Sequence, residues 1–154
     1  MKIMLQDHMS ADLITVKKDT TAGDAQRLMT NFWIRHLPVI DEAEEAIVGI
    51  LSERDLLRSP SPDIPVEQLM SSPLKTFSVD ATLVEVVDAM IDEKISAFLI
   101  TKEDQVAGIV STEDMLIVLS ELLQEDNRRT WVLSELLVNP NLQRAAYIIS
   151  QSGI

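Results

Sequence analysis

A nine-residue phrase occurs twice in this chain and limits the folds that are available to it. Residues 49–57 read GILSERDLL, and residues 108–116 read GIVSTEDML, 59 residues further along (108 − 49). Upstream, Met9-Ser10 returns as Met70-Ser71 after 61 residues (70 − 9). A period of about sixty residues indicates two copies of one supersecondary unit.

Both copies predict the same order of secondary structure. A lead segment, MLQDHM or VEQLM, is typical of a brief helical turn, and a strand follows at 13–16 or 75–79. A helix comes next, then two apolar strands joined by a polar turn, which predict a hairpin. A second helix begins at Ser52 or Ser111. The apolar stripes of the first helices are Ala22, Ala25, Leu28, Met29 and Phe32 in copy one, and Leu83, Val86, Val87, Met90 and Ile91 in copy two.

The predicted fold class is therefore α/β (α+β), with tandem β-α-β-β-α repeats. One three-stranded sheet with a single helical face buries little apolar surface alone, so we expect the repeats to pack together with pseudo-twofold symmetry. The first repeat is assigned to residues 1–60 and the second to 61–122, with SPSPDIP at 59–65 as a linker. Residues 123–154 are predicted to form a C-terminal helical extension, with one helix at 131–138 and another after Asn139-Pro140.

The start of each first helix carries a polar pair at capping-box spacing. Thr21 lies three residues before Asp24, and Thr82 lies three residues before Glu85. In a capping box, the hydroxyl accepts from one backbone N–H and the acidic side chain accepts from another. We expect both first helices to begin in this way.

Composition and charge argue against several function classes. The formal net charge is −12 and no cluster of Lys and Arg exists, so we expect no nucleic-acid duplex as a partner. There is no cysteine and there are only two histidines, which supports neither a metal site nor an activated nucleophile. We expect a protein that is not an enzyme. The N-terminus lacks a signal-peptide pattern and no apolar run approaches membrane-spanning length, so we expect a cytoplasmic location without membrane contact.

The repeated motifs resemble those of the cystathionine-β-synthase (CBS) domain family in its paired form, the Bateman module. The resemblance rests on HLPVID at 36–41 with VGILSERDLL at 48–57, and on AFLIT at 97–101 with AGIVSTEDML at 107–116. It covers residues 1 to about 122. It implies a regulatory module that binds AMP, ADP, ATP or S-adenosylmethionine between its repeats, without a required cofactor. It also implies a homodimer and a regulated partner protein that the sequence does not name.

The pattern Ser-x-x-Asp suits two different roles. At a helix start, Ser52 and Ser111 leave first-turn N–H groups and the positive end of the helix dipole open to a phosphate. Asp55 and Asp114, which only accept hydrogen bonds when ionised, could hold the two hydroxyls of a ribose. Each Asp could equally turn back to cap its own helix. The preceding glycines allow either a close backbone approach or a twist.

In the family that this chain resembles, each cleft combines the early strands of one repeat with the Ser-x-x-Asp helix of the other. Arg35 and His36 stand where basic residues meet phosphates, and we expect His36 to titrate near neutral pH. Glu113 would repel a phosphate if it faced inward. Cleft A, which we rank first, would comprise Ile14, Arg35, His36, Pro38, Ser111 and Asp114. Cleft B would comprise Lys75, Ser96, Ala97, Ser52, Arg54 and Asp55.

Two functions follow as hypotheses. The first is a regulatory sensor of an adenine nucleotide or related adenosyl ligand, which signals to a partner by a change of conformation or dimer contact. The second is a structural or protein-interaction module with degenerate clefts, acting through its C-terminal helices. Trp33, next to the apolar stripe of its helix, is expected in the core or at a dimer interface.

Overall fold

A computed structural model describes residues 4–125. The chain divides into two compact units, Met1–Met115 and Leu116–Ile154. The first unit contains both sheets and the elements that carry the predicted clefts. The predicted helices at 131–138 and after Asn139-Pro140 lie outside the described residues.

The elements follow the predicted order in each repeat. The lead segments form 3₁₀ turns at Leu5–Asp7 and Val66–Gln68. The first repeat contains β1 (Val16–Lys17), α1 (Ala22–Phe32), β2 (His36–Asp41), β3 (Ala46–Ser52) and α2 (Glu53–Leu56). The second contains β4 (Thr76–Ser78), α3 (Leu83–Glu93), β5 (Ala97–Lys102), β6 (Gln105–Ser111) and α4 (Thr112–Glu125).

Two three-stranded sheets have the same topology. β1 runs parallel to β2, which pairs antiparallel with β3, and the order β4-β5-β6 repeats this arrangement. Even the irregularity recurs, since the register shifts after Val39 in one hairpin and after Ile100 in the other. The predicted α/β fold with two β-α-β-β-α repeats is confirmed.

Two elements of the first repeat differ from the expectation. β1 begins at Val16, so most of the predicted strand at 13–16 is irregular. α2 is only four residues long, whereas α4, at the equivalent place, has fourteen. Pro60 explains the short helix, because proline lacks a backbone N–H and disfavours helical geometry in the residue before it. No proline or glycine interrupts α4.

Each lead segment packs against the sheet of the other repeat. Leu5 and Met9 lie in the apolar cluster of the second sheet, and Val66 and Met70 lie in that of the first. Backbone bridges join Ser10 to Ile109 and Ser71 to Ile50. The exchange ties the repeats together, because neither sheet completes its core with residues of its own repeat.

The predicted linker at 59–65 is held against the first repeat. The backbone N–H of Ala22 donates to the Ile64 carbonyl and that of Gly23 donates to the Pro62 carbonyl, both at 2.8 Å. Val66 N–H donates to the Thr20 carbonyl at the same distance. These bonds fix the segment along the start of α1.

The exchanged segments also explain the repeated glycines. A Cβ added at Gly49 would clash with the Met70 sulfur, and one added at Gly108 would lie 2.8 Å from the Ser10 carbonyl oxygen. Both separations are shorter than real Cβ contacts. Close approach, rather than a backbone twist, is therefore what requires glycine here.

Three expectations about α1 need correction. Trp33 is 94% exposed and ends the helix with φ of 55°, so it does not lie in the core, and its expected alternative place at a dimer interface stays a prediction. Phe32 is also more than half exposed. The capping box is complete at Thr82 and Glu85, whereas the Asp24 carboxylate accepts from the Thr21 hydroxyl instead of its backbone N–H.

Candidate functional site

The Ser52 motif forms a complete capping box. The backbone N–H and hydroxyl of Ser52 both donate to Oδ2 of Asp55, at 2.8 and 2.6 Å, and the Asp55 N–H donates to the Ser52 hydroxyl. Oδ1 of Asp55 pairs with Arg58. Both oxygens of Asp55 therefore have partners. The residue is only 6% exposed, so little of it faces solvent.

The Ser111 motif has the same capping hydrogen bonds, but it differs from the Ser52 motif in the partners of the second aspartate oxygen. Ser111 donates to Oδ2 of Asp114 through its backbone N–H at 2.6 Å and its hydroxyl at 2.8 Å. Asp114 is half-buried, and its Oδ1 has no hydrogen-bond donor among residues 4–125. The carboxylate can therefore cap its helix with one oxygen and accept from a ligand with the other.

The first-turn N–H groups are less available than expected. The Glu53 N–H donates to the Arg35 carbonyl and the Thr112 N–H donates to the Ser96 carbonyl, both at 2.9 Å. The third N–H of each helix is bonded to the capping serine. A phosphate would find two of the first three N–H groups already bonded, which corrects the prediction of an open helix end.

Arg35 of the first repeat pairs with Glu113 in the first turn of α4, in the second repeat. The two side chains are 51% and 45% exposed. This ion pair brings the two predicted sides of cleft A together, since Glu113 is next to Asp114. It also neutralises the cation that was expected to meet a phosphate.

His36 lies at a second contact between the repeats. Its Nε2 is 2.8 Å from the Ser96 hydroxyl, so a residue predicted for cleft A touches one predicted for cleft B. Burial lowers the pKa of His36 to about 4, and the charge of Arg35 acts in the same direction. The expectation that His36 titrates near neutral pH is wrong, and its imidazole is neutral at physiological pH.

The predicted cations of cleft B have separate surroundings. Lys75 is exposed and pairs with Glu93 at the end of α3, within its own repeat. Arg54 is exposed and has no acidic partner within residues 4–125. Its charge contributes to the lowered pKa of His36. Arg54 is the predicted cleft cation that remains unneutralised in the described part of the chain.

The remaining apolar residues predicted for the clefts are buried or half-buried. Pro38 and Ala97 are buried within β2 and β5, and Ile14 packs half-buried against the first core. Because His36 lies opposite Ser52 in the hairpin and contacts Ser96, the two predicted sides of cleft B also meet.

Two partners in this region were not predicted. Arg58 follows Asp55 by three residues, a helical spacing at which side chains meet, so the sequence contained a signal for that ion pair. Glu93 lies eighteen residues from Lys75, and only the packing of α3 beside β4 brings them together. Among residues 4–125, no group of His, Cys, Asp or Glu could hold a metal ion, and no helix could cross a membrane.

Two β-α-β-β-α repeats, joined by their exchanged lead segments and by the Arg35–Glu113 and His36–Ser96 contacts, define a paired module. The profile of the CBS domain family matches residues 5–61 and 66–121. This chain belongs to the CBS domain family and contains a tandem CBS pair, the Bateman module.

Solved structures support the fold over nearly their whole length. A Vibrio cholerae protein ascribed to acetoin utilization is 28% identical, with a TM-score of 0.70 and coverage of 86% of this chain and 100% of that one. A conserved Pyrococcus horikoshii protein is 31% identical, with a TM-score of 0.69 and coverage of 86% and 98%. A CBS domain pair solved with 5′-methylthioadenosine and S-adenosyl-L-methionine is 23% identical, with a TM-score of 0.72 and coverage of 79% and 99%.

Longer curated relatives match only in part. The inosine-5′-monophosphate dehydrogenase of Methanocaldococcus jannaschii is 28% identical over 106 residues, which are 68% of this chain and 21% of that enzyme. The homoserine O-acetyltransferase of Methanohalobium evestigatum is 28% identical over 79% of this chain and 24% of the enzyme. The chain thus spans between a fifth and a quarter of these enzymes.

Proposed function

We propose that this chain is a regulatory, non-catalytic module that senses an adenosyl ligand between its CBS repeats. Binding would signal to a partner protein through a change in conformation or dimer contact. A ligand can shift such an equilibrium only by binding one state more tightly than the other. The contacts between repeats provide a physical basis, because Arg35–Glu113 and His36–Ser96 both adjoin the predicted clefts.

The observation that carries this proposal is the surplus acceptor of Asp114. Its Oδ2 completes the cap of α4, while Oδ1 has no donor among residues 4–125. An ionised carboxylate accepts hydrogen bonds only, and two adjacent ribose hydroxyls supply donors. Ligand binding at Asp114 therefore needs no loss of the helix cap. Adenosyl ligands in a CBS pair of the same fold support this ligand class.

A pair of variants separates ribose binding from capping. Asp114→Asn removes the charge and keeps a cap acceptor, whereas Ser111→Ala removes the hydroxyl of the cap and keeps the carboxylate. Wild type should gain about 2.7 kcal/mol of stability at a ligand concentration of about 100 times Kd. We expect Ser111→Ala to retain this gain and Asp114→Asn to lose most of it. Thermal melting with adenosine, 5′-methylthioadenosine, S-adenosylmethionine, AMP and ATP measures the response.

Two outcomes count against the sensor. If none of the five compounds stabilises the wild type, no adenosyl ligand binds. If Asp114→Asn responds as fully as Ser111→Ala, Asp114 acts only as a cap. Asp88→Asn, on the exposed side of α3, is the matched control for loss of one carboxylate and should respond like the wild type.

A specific observation favours protein interaction as a second function. Phe32 and Trp33 at the end of α1 and Leu57 after α2 are 54%, 94% and 81% exposed. Aromatic residues are enriched at protein interfaces. The homodimer implied by the family remains a proposal, for which sedimentation of the wild type and of Trp33→Ser is the test. A monomeric wild type would refute it.

A further inference from the structure

The two predicted clefts have side chains of opposite charge at one pair of equivalent positions. Glu113 is the second residue of α4 and Arg54 is the second residue of α2, 59 residues apart (113 − 54), the spacing of the repeated phrase. The strand residues that precede the hairpins also correspond, since Arg35 in copy one matches Ser96 in copy two. Each predicted cleft combines the strand side of one copy with the helix side of the other, so these four residues distribute unequally between the two predicted clefts.

In cleft A the charges cancel. Arg35 comes from the strand side, Glu113 comes from the helix side, and the two form an ion pair. The neighbouring His36 is neutral and adds no positive charge. A phosphate entering this cleft would have to separate Arg35 from Glu113 and then lie beside the freed carboxylate. The chain's net charge of −12 adds a long-range repulsion in the same direction.

In cleft B one positive charge remains. The strand side contributes the uncharged Ser96, and the helix side contributes Arg54, which has no acidic partner in the described part of the chain. Lys75 is held by Glu93. Arg54 is thus the residue of cleft B that can meet an anion.

We infer that Glu113 is a specificity-determining residue, which makes cleft A select adenosine derivatives without a phosphate and leaves phosphate-bearing ligands to cleft B, where Arg54 stands at the equivalent position. The inference rests on the proposed adenosyl-sensing function. The sequence analysis ranked cleft A first and expected Arg35 and His36 to meet phosphates there, whereas this inference gives the phosphate to cleft B. Adenosine, 5′-methylthioadenosine and S-adenosylmethionine are the ligand types that cleft A would accept.

Calorimetric titration of adenosine and AMP into wild type, Glu113→Gln and Arg54→Gln tests the inference. Removing one nearby charge at a half-exposed position should change AMP affinity by about tenfold. Glu113→Gln should strengthen the weaker AMP site by about that factor, and Arg54→Gln should weaken the stronger AMP site by about the same factor. Adenosine affinity should stay within about twofold in both variants.

Salt separates an electrostatic effect from a structural one. At about 1 M salt the screening length falls to about 3 Å, so the AMP effect of both substitutions should shrink while adenosine binding persists. Glu113→Ser serves as a second variant and should match Glu113→Gln. An AMP-to-adenosine affinity ratio that neither substitution changes would overturn the inference, as would a change in the same direction in both.

The two proposals fail differently. If neither adenosine nor AMP binds the wild type, the sensing function is wrong and the inference falls with it. If adenosine binds and Asp114→Asn abolishes its binding, but Glu113→Gln leaves the affinity ratio unchanged, the sensing function stands and only the role of Glu113 is wrong.

Discussion

The two repeats share a backbone topology but differ in the side chains around their helix caps. Their sheets have the same strand order, the same register irregularity and the same Ser-x-x-Asp cap. Asp55 is closed by Arg58, whereas Asp114 keeps one oxygen without a donor among residues 4–125. The two copies thus share the features that the fold needs, while the side chains around each cap differ.

Truncation of a core side chain in either repeat gives the largest expected loss of stability. Leu37 and Phe98 occupy equivalent strand positions, and both are fully buried. Phe98 also meets Phe77 edge-on, with ring centroids 5.0 Å apart. Phe98→Ala should cost about 3–5 kcal/mol and Leu37→Ala about 2–5 kcal/mol, with the edge contact adding about 1 kcal/mol to the Phe98 loss.

Urea unfolding measures both losses. Phe32→Ala is the control, because this half-exposed side chain should cost about 0.5 kcal/mol or less. A larger loss for Leu37→Ala than for Phe98→Ala would show that the first repeat dominates stability.

Gly49 and Gly108, which the exchanged lead segments approach closely, extend the comparison of the two repeats. Gly108→Ala would press a methyl group against the Ser10 backbone carbonyl, which cannot move without shifting the exchanged segment. Gly49→Ala meets the Met70 side chain, which can rotate away. Overpacking costs about 1–3 kcal/mol, and we expect Gly108→Ala near the top of this range and Gly49→Ala near the bottom.

Double variants show whether the added methyl group clashes with a side chain or with the backbone. Met70→Ala should relieve part of the Gly49→Ala strain, so their combined loss in chemical denaturation should be smaller than the sum. Met9→Ala should relieve Gly108→Ala much less, since the Ser10 carbonyl remains. Equal relief at both crossings would contradict this assignment.

His36 gives a pH-dependent contrast between the repeats, because copy two has Ala97 in its place. The pKa of His36 is lowered to about 4 by burial, against 6.5 for an unperturbed histidine. Because the unfolded chain binds the proton first, the stabilisation is present above about pH 6.5 and is lost as the pH falls toward 4. The loss between pH 7 and pH 5 should be about 2 kcal/mol.

Arg35, Arg54 and Asp55 are the charged groups that act on the His36 ring. His36→Gln should flatten stability between pH 7 and pH 5. Urea midpoints across this range provide the measurement. A slope that persists in His36→Gln would assign the titration to another group.

Much of the fold was predictable from local sequence. Helical spacing marked α1 and α3, and the polar turns between apolar strands marked both hairpins. Boundaries failed where local signals were weak. β1 starts three residues later than predicted, and Trp33 follows an apolar stripe but ends its helix in solvent. An apolar stripe identifies the buried face of a helix, but it does not specify at which residue packing against that face ends.

The site was predictable as a set of residue types but not as a set of partners. Ser52, Asp55, Ser111 and Asp114 were identified by spacing, and that spacing allowed the capping bonds that the structure shows. The pairing of Arg35 with Glu113, and of His36 with Ser96, joins residues 60 or more positions apart. No local pattern encodes such contacts, since they depend on how the two repeats pack.

By itself the sequence determined the duplicated architecture and the spacing of the Ser-x-x-Asp pairs, because both are written in neighbouring residues. The tertiary structure decided the close approach that requires Gly49 and Gly108, since Met70 and Ser10 are distant from them in sequence. Only the tertiary structure decided which cation meets which carboxylate, which aspartate oxygen remains available, and how burial sets the pKa of His36. These properties arise between repeats, where distance and burial rather than spacing along the chain set the interaction.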